Sequence, residues 1–176
     1  MQYSGPGAET KSREAGTSDG HWLRAIRRYA MVIAAGNLLW EFIQLPLYTI
    51  WYEGSPREIV FAAVHCTGGD LLIASVALLA ALMVVGDGRW PRVRFQAVAL
   101  VAILGGLAYT IFSEWLNTEI RGSWAYSEWM PKLPLIGAGL SPFAQWVIVP
   151  IVAFWWARRP FVSLADREPG LSQGKS

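Results

Sequence analysis

The sequence predicts an all-α integral membrane protein, a four-helix bundle with its N and C termini in the cytoplasm. Of its 176 residues, 53% are hydrophobic and 16% are charged, whereas an average soluble domain has about 25% charged residues. Four apolar stretches are each close in length to the roughly 20 residues that a helix needs to cross a bilayer. These stretches are expected to be helical, because an isolated span in lipid must satisfy its own backbone hydrogen bonds.

The first predicted span covers about residues 29–51. Residues 1–22, which precede it, are rich in Gly, Ser, Thr and Glu. This composition predicts a disordered cytoplasmic tail rather than a cleavable signal sequence. The remaining spans are predicted at about 59–85, 95–116 and 138–157, so that residues 23–160 form the transmembrane domain and 161–176 a second cytoplasmic tail. At the start of the fourth span, Ser141-Pro142 is typical of a helix N-cap followed by a first-turn proline.

The distribution of Lys and Arg predicts the orientation. Twelve of the fifteen lie in the N-terminal tail, the second loop and the C-terminal tail, and three lie in the first and third loops. The positive-inside rule therefore assigns both termini to the cytoplasm and predicts a multi-pass membrane location, the inner membrane if the protein is bacterial. Tryptophans at the span ends agree with these boundaries, since their rings favour the headgroup level. They are Trp22, Trp51, Trp90, Trp115, Trp155 and Trp156.

Several classes of function lack support in the sequence. A net charge of +2 without a basic cluster argues against a nucleic-acid partner. The glycine-rich nucleotide motifs, the P-loop and the GxSxG elbow are absent, and no cofactor is predicted. The single cysteine, Cys66, cannot form an intrachain disulfide and is more typical of a small buried apolar side chain than of a ligand or nucleophile.

The most informative residues are ionisable groups inside the spans, because such groups are costly in lipid and usually functional. Glu41, His65, Asp70 and Glu114 all fall in the outer halves of their helices, opposite the Arg-rich loops. We predict that these four form the catalytic site. Glu41 and Asp70 are expected to be desolvated carboxyls that stay protonated and serve as acid/base groups. His65 and Glu114 are expected to assist them or to stabilise a cation.

Other polar and aromatic residues at the same depth are predicted to line a pocket. Asn37, Glu41, Gln44 and Tyr48 lie on one stripe of the first span, and Thr110, Glu114 and Asn117 on one stripe of the third. The predicted pocket-lining residues are Asn37, Trp40, Gln44, Tyr48, Tyr109, Thr110, Asn117, Arg121, Trp124, Gln145 and Trp146. For each of them, packing between helices is the alternative interpretation.

Two glycines complicate the second span. His65 and Asp70 are about 140° apart around an ideal helix, so they can meet only if Gly68-Gly69 distorts it. The glycines could equally serve a close approach between helices. Glu41, His65, Asp70 and Glu114 are permissible metal ligands, but HxxxH, HExxH and ExxH spacings are absent, and no metal is predicted.

The third loop, residues 118–137, is too apolar for a solvated connection. We expect it to fold back over the pocket as a lid, with Arg121 and Glu128 as polar contributors. Within it, Trp124-Ala125-Tyr126 followed by Leu133-Pro134-Leu135 resembles a short region of the heterodimer-type carotenoid (lycopene) cyclases, which are small helical membrane proteins. Ile136 stands where that family has an acid. The resemblance implies a lipophilic, isoprenoid substrate.

Three functional hypotheses follow, in order of preference. The first is an acid/base enzyme acting on a lipophilic, isoprenoid-like molecule, with Trp40, Trp124 and Trp146 walling its pocket. The second is a non-enzymatic binding or complex-assembly subunit whose polar residues hold helices together. The third is a binding site for a metal or a small solute. The expected partners are membrane lipids and a lipophilic small molecule, with a homo-oligomer or a membrane partner left open.

Overall fold

The structure, a computed structural model, describes residues 6–134 and 136–159, and the side chains from residue 21 onward. Over these residues it is all-helical. Helix α1 spans Pro6–Gln44 and continues as a 3₁₀ turn, Leu45–Leu47; a short helix α2 follows at Ile50–Glu53. Helix α3 spans Pro56–Val85, α4 spans Phe95–Trp115 and continues as a π-helical turn, Leu116–Ile120, and α5 spans Leu140–Arg158.

Four helical segments are long and apolar enough to cross a membrane: His21–Leu47, Pro56–Val85, Phe95–Ile120 and Leu140–Arg158. The predicted number of long apolar helices is therefore confirmed, and three of the four begin and end within four residues of the predicted positions. The first differs more, because α1 begins at Pro6, within the segment predicted to be a disordered tail. The second predicted tail, residues 161–176, lies outside the described residues.

Local sequence explains where the helices begin and end. Ser55 and Glu58 form a capping box at the start of α3, and Pro56 occupies the first turn, where its missing N–H costs nothing. Pro46 cannot donate a backbone hydrogen bond, and α1 ends two residues before it. The prediction that Ser141 caps α5 is wrong: Gly139 is the N-cap, and Ser141 lies inside the helix.

The four long helices alternate in direction, and the two ends of the bundle differ. At one end, Arg28 donates to the carbonyl oxygen of Arg159 (2.6 Å), and the Arg158 guanidinium lies 5.7 Å from the centre of the Phe95 ring. We call this the basic end; it includes residues 21–28, 86–94 and 158–159. The opposite end, formed by residues 45–55 and 116–139, is called the cavity end.

The apolar core fills the bundle from the basic end towards its middle. Helix α1 packs most extensively on α5, and α3 on α4. Small side chains at these contacts, such as Ala74, Ala81, Ala102 and Ala153, are almost fully buried and let the helices approach closely. Gly106 serves the closest approach, because a Cβ there would lie 2.2 Å from the Trp146 ring.

The outward faces of the long helices are apolar. Met83 is 87% exposed, and Val84, Phe61 and Leu72 are each exposed by more than three-fifths of their surface. Exposed apolar area of this extent is unusual for a protein surrounded by water, and it fits helices that face lipid.

Candidate functional site

A cavity of about 780 Å³ lies at the cavity end, between α1, α3 and α4 and against the first turns of α5. Its volume falls within the range of about 300–1,000 Å³ that is typical of small-molecule sites. The four residues predicted to be catalytic, Glu41, His65, Asp70 and Glu114, all line it. Other polar or aromatic residues in its lining are Gln44, Tyr48, Glu53, Glu58, Phe61, Cys66, Thr110, Ser113, Asn117, Arg121, Ser123, Trp124 and Gln145.

Gln145 connects the acids of two helices. Its amide nitrogen Nε2 lies 3.2 Å from Oε1 of Glu41, 3.0 Å from Oδ2 of Asp70 and 3.0 Å from Oδ1 of Asn37. An amide NH₂ has two hydrogens, so these three acceptors share its donors. The side chain of Gln145 is 2% exposed and comes from α5, Glu41 comes from α1, and Asp70 comes from α3. One amide therefore holds both carboxyls at a single point of the bundle.

A second amide completes this cluster. Gln44 Nε2 donates to Oε1 of Glu41 (2.9 Å) and to Oε1 of Gln145 (3.3 Å), and Gln44 Oε1 accepts from the Ser141 hydroxyl (2.8 Å). We call Asn37, Glu41, Gln44, Asp70 and Gln145 the carboxyl–amide cluster. All five are buried, and their hydrogen bonds reduce the cost of burying polar groups.

The electrostatics of the cluster are unusual. Two carboxyl oxygens that approach the same amide nitrogen repel each other unless a proton or a cation lies with them. Among the described residues that line the cavity, Arg121 is the only Lys or Arg, and it is exposed at the cavity end. The arrangement therefore suits the binding and exchange of a proton.

Trp146 supports this cluster without lining the cavity. Its indole Nε1 donates to Oδ1 of Asp70 (3.2 Å), and its ring packs over Gly106. Three further residues predicted to line the pocket also lie outside the lining. Asn37 is buried beneath it, Trp40 donates to the Ser141 hydroxyl (3.1 Å), and Tyr109 is 52% exposed on the outer face of α4. Sequence periodicity alone does not specify which of these side chains face the cavity and which face a neighbouring helix or the outer surface.

Glu114 has a partner that the sequence did not indicate. The hydroxyl of Tyr126, in the loop after α4, donates to Oε2 of Glu114 and accepts from the backbone N–H of Gly139 (2.9 Å). Burial, and then the adjacent Glu114 carboxyl, raise the pKa of Tyr126 above its ordinary value of 10. The hydroxyl therefore keeps its proton at neutral pH and remains a donor to Glu114.

Tyr48 is close to this pair, with its ring centre 5.5 Å from that of Tyr126. Burial raises the pKa of Tyr48 well above its ordinary value, and the nearby Glu114 carboxyl contributes to the shift. Tyr48 thus adds a second neutral phenol to the cavity wall.

His65 lies apart from the acids. It is exposed, and its ring stacks on Phe61 at a centroid distance of 5.5 Å. Helix α3 is continuous through Gly68-Gly69, so these glycines do not bring His65 and Asp70 together. Nor do they serve helix packing, because a Cβ at either position would meet nothing within 4 Å. His65 and Gly69 both line the cavity and are exposed, which places them at its mouth.

The loop after α4 covers the cavity end. The backbone N–H of Thr49 donates to the carbonyl oxygen of Ala125 (3.0 Å), and that of Ser127 donates to Leu47 (2.9 Å). The Ser127 hydroxyl also donates to the carbonyl oxygen of Pro46 (3.1 Å). Arg121 and Trp124 line the cavity, whereas Glu128 is exposed and lies outside its lining. The loop is thus attached to the end of α1, above the carboxyl–amide cluster.

The fold and the site define a class: a bundle with four candidate membrane-spanning helices and an acidic cavity at one end. Comparisons with protein-family models, with curated proteins and with solved structures find no match for this chain. Within the described part of the chain, no group of three or more His, Cys, Asp and Glu side chains is arranged to hold a metal ion.

Proposed function

We propose that the protein is a multi-pass membrane enzyme that transfers protons to and from a lipophilic substrate bound in the cavity. The observation that carries this proposal is the pairing of Glu41 and Asp70 on the amide of Gln145, at the wall of a cavity wide enough for a small molecule. Paired carboxyls in a desolvated site can take different protonation states, so one can act as an acid while the other acts as a base.

The reaction that fits this pair needs no cofactor. The protonated carboxyl gives its proton to one carbon of an alkene, and the other carboxylate removes a proton from a neighbouring carbon of the resulting cation. The substrate gains and loses one proton, so the outcome is a double-bond shift or a ring closure without oxidation or reduction. Tyr48 and Trp124, which line the cavity, offer aromatic faces to such a cation. Trp40 and Trp146 lie outside the lining and are not assigned this role.

A lipophilic substrate is supported by the mouth of the cavity. Phe61 is 67% exposed and lines the cavity together with the exposed His65 and Gly69. All three belong to α3, one of the helices long and apolar enough to cross a membrane. A molecule dissolved in the bilayer could therefore reach the acids past these residues of α3 without passing through water. An isoprenoid-like substrate remains the class that the sequence predicts.

The decisive experiment follows hydrogen from solvent. Membranes containing the protein are incubated in D₂O, and extracted lipids are compared by mass spectrometry with membranes that lack it. We expect deuterium in at least one lipophilic species, and a reduction of about 10²-fold or more with Glu41→Gln or Asp70→Asn. Glu119→Gln, an exposed acid outside the cavity lining, is the matched control and should leave labelling unchanged. Unchanged labelling in the correctly folded Glu41→Gln variant would falsify the mechanism.

A structural role for the cluster is the second candidate. It is favoured by the hydrogen bonds that the carboxyls already make, since Gln145 joins α1, α3 and α5 through them. Such a role predicts the opposite outcome for the same variants. Glu41→Gln and Asp70→Asn would then lower the stability of the bundle or its co-purification with a membrane partner, and no deuterium transfer would depend on them.

We also propose that the basic end faces the cytoplasm and that lipids cover the apolar faces of the four long helices. The proposal is supported by the arginines gathered at this end, in residues 24–28, 89–94 and 158–159. The carboxyl–amide cluster would then lie in the half of the membrane away from the cytoplasm, beneath the loop after α4.

A further inference from the structure

We propose that the cavity binds the head of an uncharged, oxygen-bearing amphiphile, a long-chain alcohol, aldehyde or ketone, and that the hydroxyl of Thr110 contacts its oxygen. This inference rests on the proposed function, because it takes the cavity as the substrate site. It adds the chemical class of the substrate's head and the residue that recognises it.

The Thr110 hydroxyl is a buried polar group of the cavity that no contact with a described residue explains. It is 7% exposed and lines the cavity, and its Oγ1 has no hydrogen-bond partner among the described residues. Threonines in helices commonly bond to the carbonyl one turn back. Thr67 does so with Ala63 (2.8 Å), and Thr118 with Glu114 (2.7 Å). A buried hydroxyl that does not use this partner is expected to have another, and a ligand in the cavity would supply it.

A second donor lies in the same wall. The indole Nε1 of Trp124 is buried and faces the Glu114 carboxyl, but it makes no hydrogen bond of normal geometry with any described residue. An indole N–H can only donate, so it needs an acceptor. A hydroxyl or carbonyl oxygen can accept from either donor, whereas an ammonium head has no acceptor to offer.

The charges of the wall disfavour anionic head groups. Glu41, Asp70 and Glu114 surround the cavity with carboxyls, and Arg121 at the exposed end is the only Lys or Arg among its described lining residues. A phosphate or carboxylate head would be repelled there and would lose its hydration without a cationic partner. A neutral oxygen avoids both costs.

The mouth of the cavity accounts for the tail of the amphiphile. Gly69 is exposed at this mouth, and a Cβ built there would contact no neighbouring element within 4 Å. An alkyl chain leaving the cavity past Gly69 would therefore enter the bilayer without displacing protein. The same geometry supplies a blocking variant, Gly69→Phe, whose ring can occupy the mouth without a clash in the core.

The test uses the full chain in phosphatidylcholine nanodiscs and three probes with the same hexadecyl chain and the same diazirine. The probes are hexadecanol, hexadecyl phosphate and hexadecyltrimethylammonium, and the cross-linked peptides are identified by mass spectrometry. We expect hexadecanol to label peptides of the cavity wall in preference to the other two. Thr110→Val should weaken this labelling about two- to tenfold, the effect of losing one hydrogen bond.

Controls separate recognition from folding. Thr67 is as buried as Thr110, with 7% of its surface exposed, but its hydroxyl is already bonded and the residue lies outside the cavity lining. Thr67→Val should therefore leave labelling unchanged. Thr110→Ser keeps the hydroxyl and should retain labelling even if Thr110→Val proves hard to purify. Gly69→Phe should abolish labelling of the cavity wall by every probe.

Two results would overturn the inference in distinguishable ways. If the three probes label the cavity wall equally, or if Thr110→Val labels like the native chain, the assignment of a neutral head and of Thr110 is wrong, while the cavity remains a ligand site. If no probe labels the cavity wall above the lipid-facing surfaces and Gly69→Phe changes nothing, the cavity does not take lipophilic ligands, and the proposed function fails with the inference.

Discussion

Gln145 is the residue on which the carboxyl–amide cluster depends. Its amide nitrogen approaches acceptors from Asn37, Glu41 and Asp70, and its oxygen accepts from Gln44. Without the Gln145 amide, the two buried carboxyls of Glu41 and Asp70 would lose the hydrogen-bond donor that they share. Leaving a buried acceptor unsatisfied costs about 1–3 kcal/mol, which is large beside the average of about 0.6 kcal/mol for a hydrogen bond between membrane helices.

We therefore predict that Gln145→Leu, which keeps the side-chain size but removes the amide, lowers the free energy of unfolding by about 1–3 kcal/mol. The measurement is the unfolding of the purified protein in mixed micelles titrated with denaturing detergent. Gln96→Leu is the control, since Gln96 is an exposed glutamine of α4. Equal stability of the two variants would mean that the amide contributes nothing to holding the acids.

At this scale the sequence selected the acids but did not predict their hydrogen-bond partners. The rarity of acids in apolar spans was enough to select Glu41, Asp70 and Glu114, and all three line the cavity. Their partners come from other helices or from a loop, and helical periodicity contains no information about such contacts. Ser141 shows the same limit: its Ser-Pro pattern favoured capping, but its hydroxyl donates to Gln44 instead.

Among the elements, the loop between α4 and α5 behaves least like an ordinary solvated connection. Its apolar residues predicted a segment folded back over the pocket, and the bonds of Ala125 and Ser127 to residues 46–49 attach it there. The Tyr126 hydroxyl donates a hydrogen bond to Glu114. Among the described residues, this is the one side-chain hydrogen bond between the loop and a buried acid. The loop can therefore act as a cover whose position depends on that link.

We predict that Tyr126→Phe loosens this cover without unfolding the bundle. Amide hydrogen exchange in residues 121–134 should become about two- to tenfold faster, the effect of losing one net hydrogen bond. Tyr52→Phe is the control, because Tyr52 is 60% exposed and its hydroxyl bonds only to the Pro46 carbonyl among the described residues. Unchanged exchange in the Tyr126→Phe variant would contradict the link.

The pH dependence of this effect follows from the raised pKa of Tyr126. Tyr126 has a pKa in the folded protein that lies above its value of about 10 in the unfolded chain. Its contribution to the stability of the folded state is therefore complete below about pH 10 and is lost only as the pH rises further. Titration of Tyr126 should therefore leave the difference in exchange between the native chain and Tyr126→Phe, corrected for intrinsic rates, unchanged between about pH 6 and 9. A change in this window would be assigned to Glu114, the other titratable group of the link.

The helices themselves were the most predictable elements, because a long apolar run between polar loops specifies a span almost by length alone. The use of their glycines was not predictable. Gly69 faces open space at the mouth of the cavity, whereas Gly106 lets the Trp146 ring approach α4. Each belongs to a glycine pair in an apolar helix, Gly68-Gly69 and Gly105-Gly106, and only the three-dimensional packing distinguishes a contact surface from an opening.

For the whole molecule, the polar and apolar halves divide the bundle along its length. The buried core near the basic end includes Ile33, Leu78, Ala81, Val98 and Ala153, each at most 5% exposed. The cavity and the carboxyl–amide cluster lie towards the other end. A proton or solute path through the bundle would have to cross this apolar core, so the architecture supports a site that opens at one side and towards lipid.

The orientation of this asymmetric bundle is the remaining prediction, and it decides which compartment the cavity faces. Cys66 is the only cysteine, so a Cys66→Ser background allows single cysteines to be introduced at each end. Gly88→Cys reports on the basic end and Glu128→Cys on the cavity end; both positions are exposed, and a side chain at residue 88 meets no atom within 4 Å. In sealed right-side-out vesicles, an impermeant maleimide should label the cysteine at position 128 directly and the one at position 88 only after permeabilisation. The reverse pattern would mean that the arginines of the basic end do not set the topology, and the acidic cavity would then open towards the cytoplasm.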